Sequence, residues 1–221
     1  MDRVKQSYIY CGKGVKMASR ATTRGDYNLS DPVNSFTDVV RRIVLQPTAF
    51  FASIPRSGNI VNPLVFALIC IEISVILVGL LNLIGLPGGV LWLAAPQGNQ
   101  GFFAFVGALV LAPIAGAVGL LITALITHLL VGLVVGPSNS GFEATFRVAS
   151  YTSVTSLLGW LPYIGWLFTL YRVYLAIVGI REVHSTTTGK AALVVLIPFA
   201  VIALLAFLLV GVAGALFFRA L

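Results

Sequence analysis

From Phe102 to Val135 the chain runs for 34 residues without an aspartate, glutamate, lysine or arginine. A lipid core of ~30 Å takes about 20 apolar residues in a helix that satisfies its own backbone hydrogen bonds, so such a run suits a bilayer and no soluble surface. As one straight helix it would measure about 50 Å at the α-helical rise, too long for a perpendicular crossing. Either Pro113 kinks it or its first part follows the interface before turning in. The rest of the chain agrees: 58% of residues are hydrophobic and only 10% charged, where a soluble domain carries roughly 25% charged residues. The chain therefore reads as an all-α integral membrane protein.

Apolar patterning divides it into three regions. Residues 1–30 are basic and poor in apolar groups, and predict a disordered tail. No signal-peptide core lies in them, so the first crossing is expected to act as its own insertion signal. Residues 31–58 predict an amphipathic helix segment. Asp31 suits an N-cap, Pro32 the first helical position, and Val33, Phe36, Val40, Ile43 and Val44 recur at helical spacing before Gln46-Pro47 ends the helix. With Phe50 and Phe51 as anchors it would lie in the headgroup layer; packing on the ends of the spans fits equally. Residues 59–221 predict a bundle of five transmembrane helices over about 60–84, 102–135, 142–160, 163–180 and 191–218. Between the first two, the uncharged stretch Gly85 to Gly101 offers Val90 to Ala95, with Trp92, to the interface.

Nine of the fourteen basic residues precede Ile60, none lies at the turn Leu161-Pro162, and Arg181 and Lys190 follow the fourth span. This alternation predicts a cytoplasmic N-terminus and a C-terminus on the opposite side. It also assigns the net charge of +7 to a membrane-facing tail rather than to a nucleic-acid-binding face. Cys11 and Cys70 fall at different depths and predict neither a disulfide nor a metal pair.

Polar residues inside the apolar half are the candidates for function, because charge at membrane depth needs a partner or a task. Glu72 lies midway along the first span and Arg172 midway along the fourth, and the two are expected to pair, as a clamp or as an ion step. Glu143, Arg147 and Tyr151, spaced four apart, share one helix face at the cytoplasmic end of the third span and predict a local ion pair with Tyr151 as its hydrogen-bond partner. His128 is expected to reach the same region as a buried, hydrogen-bonded histidine. Arg181, Glu182, His184 and Lys190 suit a helix C-terminus and also offer a docking loop for a cytoplasmic partner. Ala115, Gly119, Thr123 and Thr127, also four apart, predict a ladder for close helix packing, within one chain or in a homo-oligomer. Gly189-Lys190 is no phosphate loop, since His184 and Ala191 stand where that motif needs glycine and a hydroxyl residue. The two histidines lie far apart without nearby cysteines or paired carboxylates, and no nucleophile elbow occurs. No enzyme and no cofactor are expected.

Three runs resemble the Yip domain family of five-span membrane proteins: VLQPTAFFASIPRSGNIVNPLVFAL, FEATFRVASY, and VGIREVHSTTTGKAA after a proline-containing turn. The most specific part is Gly179 to His184, and the resemblance covers about Phe36 to Ile197. It implies a role in vesicle traffic and binding of prenylated Rab-type GTPases, as in eukaryotic members. The Asp-Leu-Tyr-Gly-Pro run of those members is absent, Asn59 to Leu64 reading NIVNPL, and the chain looks more like prokaryotic members, which implies a prokaryotic cytoplasmic membrane. The expected function is a non-enzymatic membrane organiser or adaptor, with the bilayer and a cytoplasmic-side protein as partners. The alternative is a small transporter or channel using Glu72, His128 and Arg172.

Overall fold

The computed structural model describes residues 26–86, 88, 101–201, 204 and 208, and among them every regular element is helical. The expectations for residues 1–25, for Val90 to Ala95, and for the end of the last span after residue 208 lie outside the described residues.

α1 (Pro32–Leu45) starts on Pro32 and stops before Pro47, because proline disfavours helical geometry in the residue preceding it. α2 (Pro47–Ser53) follows after Gln46 alone. α1 turns Val39 and Ile43 into the core, half-buries Phe36 and Val40, and leaves Val33 72% exposed and Val44 exposed. The expected stripe thus packs against the protein, rotated by part of a turn. Phe50 and Phe51 are not anchors in a headgroup layer: both are buried, and Phe50 meets the Tyr151 ring edge-on at 5.1 Å.

α3 (Val61–Leu83) and α4 (Phe102–Val134) match the first two predicted spans within one residue at each end, and each is long and apolar enough to cross a membrane. α4 continues through Pro113 as one helix. At its end Gly136 takes a φ of +89°, which lets its N–H reach back to the Val131 carbonyl at 3.3 Å and close the last turn. α3 lies against α4, and α5 (Phe142–Tyr151) against both.

The region predicted as a third span is a broken rod. A 3₁₀ turn, Thr152–Thr155, separates α5 from the short α6 (Ser156–Gly159). Its hydroxyls bond back to the preceding turn, Thr152 to the Ala149 carbonyl at 2.9 Å and Thr155 to that of Thr152 at 2.9 Å, which favours local departures from α geometry. Nearly every residue from Ala144 to Thr155 is buried, so this rod faces protein, as its serine and threonine content implied. The chain then reverses at Leu161-Pro162 into α7 (Gly165–Val183). α8 begins at Thr188 and is followed to Val201.

The main core joins α1, α2 and α7 to one end of the bundle through an aromatic cluster. Phe66 of α3 stands 5.2 Å from Tyr151 of α5 and 5.8 Å from Tyr27. Tyr27 is only 1% exposed. The last residues of the predicted disordered tail, from Asp26 to Ser30, are therefore ordered, because Tyr27 finds an aromatic pocket that a tail would lack in isolation.

Candidate functional site

Asp26 leads directly to the most polar part of the core. Its Oδ2 accepts a bond from Arg147 Nη1 at 2.5 Å, and its Oδ1 accepts from the Tyr151 hydroxyl. Tyr151 Oη in turn accepts the Tyr27 backbone N–H at 2.9 Å, and Arg147 Nη2 donates to the Asn59 carbonyl at 2.8 Å. Arg147 is 1% exposed. A buried guanidinium needs both a counter-charge and acceptors for its fork of donors; here the N-terminal segment and the α2–α3 connection serve Nη1 and Nη2, while Nε is buried without a partner.

The expected Glu143–Arg147 ion pair does not form. One turn away, Glu143 Oε2 instead accepts the Gly58 N–H at 2.6 Å. Helical spacing did place Glu143, Arg147 and Tyr151 on one face, but each meets a partner more than eighty positions away in the chain.

A second network lies at the same end of the bundle. The Ser140 N–H donates to His184 Nδ1 at 3.0 Å, and His184 Nε2 lies 3.0 Å from Thr145 Oγ1. Thr145 Oγ1 lies 3.1 Å from His128 Nδ1. A backbone N–H only donates, so His184 Nδ1 carries no proton and the neutral ring bears it on Nε2. His184 then donates to Thr145, whose hydroxyl also lies against His128 Nδ1 and, at 3.5 Å, the Gly141 carbonyl. His184 is 2% exposed, so it belongs to this buried chain and not to an exposed docking loop. Burial, with the His128 and Arg56 charges nearby, pulls its pKa down to about 4.

The folded form therefore resists a proton that the unfolded chain accepts near pH 6.5. Stability is unaffected by this group above about pH 6.5 and declines as pH falls from there towards 4. Thermal unfolding in detergent should show the midpoint dropping across that window, and His184→Asn should flatten the drop. An equal drop in the variant would remove His184 as its cause.

The remaining predicted groupings are largely not assembled. Glu72 and Arg172 form no ion pair: among the described residues the ion pairs are Arg42–Asp38, Arg147–Asp26 and Arg181–Glu182, and Glu72 Oε1 is buried without a hydrogen-bond partner. Equal depth along two helices does not bring side chains to facing sides. Along the ladder, Ala115, Gly119 and Thr123 are exposed, and a side chain added at Gly119 would meet nothing within 4 Å. The face of α4 turned to the protein carries Gly116, Leu120, Ala124 and Val131 instead, one residue further on in register. Of the proposed docking loop, Arg181 pairs with Glu182 at 2.6 Å, and Lys190 is exposed in the first turn of α8, leaving only His184 to Thr187 as a connection.

Asp26 and Tyr27 were invisible to spacing arguments, since nothing near them in sequence marks them apart from a short acidic–aromatic pair in a basic tail. Arg147, Tyr151 and the histidine chain lie within residues 41–210, which the Yip1 domain family model matches, while Asp26 and Tyr27 precede that region. The chain belongs to the Yip1 domain family. No curated protein and no solved structure matches it. This Yip1 domain protein is thus a membrane protein, with α3 and α4 suited to crossing the bilayer. Its FRVASY and GIREVH runs, which carried the resemblance, hold Arg147 and Tyr151, which fasten the N-terminal segment to α5, and Gly179 and His184, which meet α5 at Val148 and Thr145.

Proposed function

We propose that this protein is a non-enzymatic membrane organiser or adaptor with five crossings, whose polar end faces the cytoplasm and recruits a partner there. The observation that carries the reading is the Asp26–Arg147–Tyr151 clamp: it fastens the N-terminal segment to the bundle end that also bears α1, α2 and the α7–α8 connection. That end presents Arg41, Arg56 and Lys190 to solvent on a rigid base, and Arg56 Nη2 is held by Ser185 Oγ at 2.9 Å. Fixed cations over a packed core favour an acidic protein surface or anionic headgroups, and they speed encounter. The exposed Val33 and Val44 of α1 add apolar contact at the interface. By family membership, the partner class includes the machinery of membrane traffic.

A transport role is less well supported. Glu72, His128 and Arg172 do not join, His128 being bonded to Thr145 and Glu72 Oε1 having no partner, so no relay links them.

A photo-cross-linking residue at Lys190, used in the native membrane, should give a discrete adduct that Arg56→Glu weakens several-fold. The same probe at Leu158, beyond the 3₁₀ turn, should give none. An adduct pattern indifferent to Arg56 and equal at both sites would sink the adaptor reading.

A further inference from the structure

We propose that Arg172 is the headgroup contact of a built-in site for an anionic glycerophospholipid, which lays one acyl chain between α4, α5, α7 and α8. Two chambers meet at this residue. The larger, about 270 Å³, has apolar walls that include Ile126, Val148, Val173, Ala176 and Phe199. The smaller, about 180 Å³, is lined by the hydroxyl residues Ser74, Thr155, Ser156 and Thr169. Arg172 and Thr169 line both, and Arg172 is the one charged residue in either lining.

The chambers suit the two halves of an amphiphile: the smaller is rich in hydroxyls, and the larger is mainly apolar, with threonines among its aliphatic and aromatic walls. Their order along α7 fits the bilayer. Arg172 lies seven residues inside the start of α7 at Gly165, about 10 Å at the helical rise. The apolar chamber runs on from there to Ile180, about 12 Å further along α7 towards its other end. Extended towards the α6–α7 turn, the long Arg172 side chain meets the phosphate of a lipid in that leaflet, and the acyl chain lies along α7 into the apolar chamber.

Among the described residues, none neutralises this cation. Glu72 forms no ion pair with it, its Oε1 being buried without a hydrogen-bond partner, and no ion pair among the described residues includes Arg172. A guanidinium at this depth without a counter-charge is costly, and an anionic headgroup removes the cost. At about 270 Å³ the apolar chamber takes only part of one acyl chain, so the rest of that chain and the second chain stay in the surrounding bilayer. The site is independent of the adaptor reading and holds whatever partner binds the opposite end.

The test reconstitutes the full chain in phosphatidylcholine nanodiscs containing trace spin-labelled phosphatidylglycerol or spin-labelled phosphatidylcholine, and reads the motionally restricted fraction. Wild-type protein should prefer phosphatidylglycerol by about fivefold, the scale of one cation acting on an anionic lipid. Arg172→Gln should abolish the preference and Arg172→Lys should keep most of it. Ala176→Phe, which fills the apolar chamber and leaves the charge, should lower the restricted fraction to the phosphatidylcholine level. It decides the matter if Arg172→Gln does not fold. Absence of a preference in wild type, or its survival in either Arg172→Gln or Ala176→Phe, overturns the proposal. Release of the lipid by millimolar inorganic phosphate would reduce the site to a simple anion contact and would overturn it equally.

Discussion

Asp26→Asn should destabilise the folded bundle by about 3 kcal/mol, because it leaves the Arg147 guanidinium buried without its counter-charge. The value belongs at the lower end of the range for broken buried pairs, since the Asp26 side chain keeps 18% of its surface exposed while that of Arg147 keeps 2%. The loss also reaches Tyr151, whose hydroxyl is weakened in its contact with Asp26 while still accepting the Tyr27 N–H. Denaturant titration in a mild detergent, followed by far-UV circular dichroism, measures the effect. Arg147→Met in the Asp26→Asn background should recover much of the stability, because an apolar side chain of similar length removes the buried charge itself. A single Asp26→Asn variant as stable as wild type would show that the N-terminal segment does not hold the clamp.

The second large effect is expected at Gly179, near the C-terminal end of α7. A Cβ built there would stand 2.6 Å from Val148 Cγ1, 3.1 Å from Val148 Cγ2 and 3.2 Å from Phe51 Cε1. Val148 is buried and β-branched, so its methyls have little rotamer freedom to yield. Gly179→Ala should therefore push α7 away from α5 and α2 and destabilise the protein by about 1–3 kcal/mol, the usual range for overpacking a filled core. Val148→Ala removes the methyl groups that clash and should restore part of the loss when combined with Gly179→Ala. Additive losses in the double variant would mean that the two positions do not share the contact. The same glycine lies in the run most specific to the family, and close approach of two helices gives that residue a physical reason.

Much of the helical layout was legible in sequence because it depends on local rules. Pro32 and Pro47 bracket α1, the Pro162 turn separates α6 from α7, and the apolar lengths of α3 and α4 set their limits. The break at Thr152–Thr155 was not legible, although the hydroxyl content that permits it was visible. The polar pairings were hardest to foresee. Glu143, Arg147 and Tyr151 were correctly grouped on one face, yet Arg147 took Asp26, 121 positions away, over Glu143 one turn away. Within one helix turn, two exposed charges contribute little. A buried guanidinium gains far more from a carboxylate delivered by another segment.

By itself, the sequence determined that this is a helical membrane protein of the Yip1 domain family, where its principal helices start and stop, and which side chains must find unusual partners. Only the tertiary structure decided which partners they find. α3 and α4 are apolar on every side, so periodicity carries no signal for the rotation of each helix about its axis. That rotation exposes the ladder from Ala115 to Thr123, turns Leu120 and Ala124 inward, and keeps Glu72 from Arg172. Helix limits follow from neighbours a few residues apart; the facing of helices follows from packing the whole chain at once.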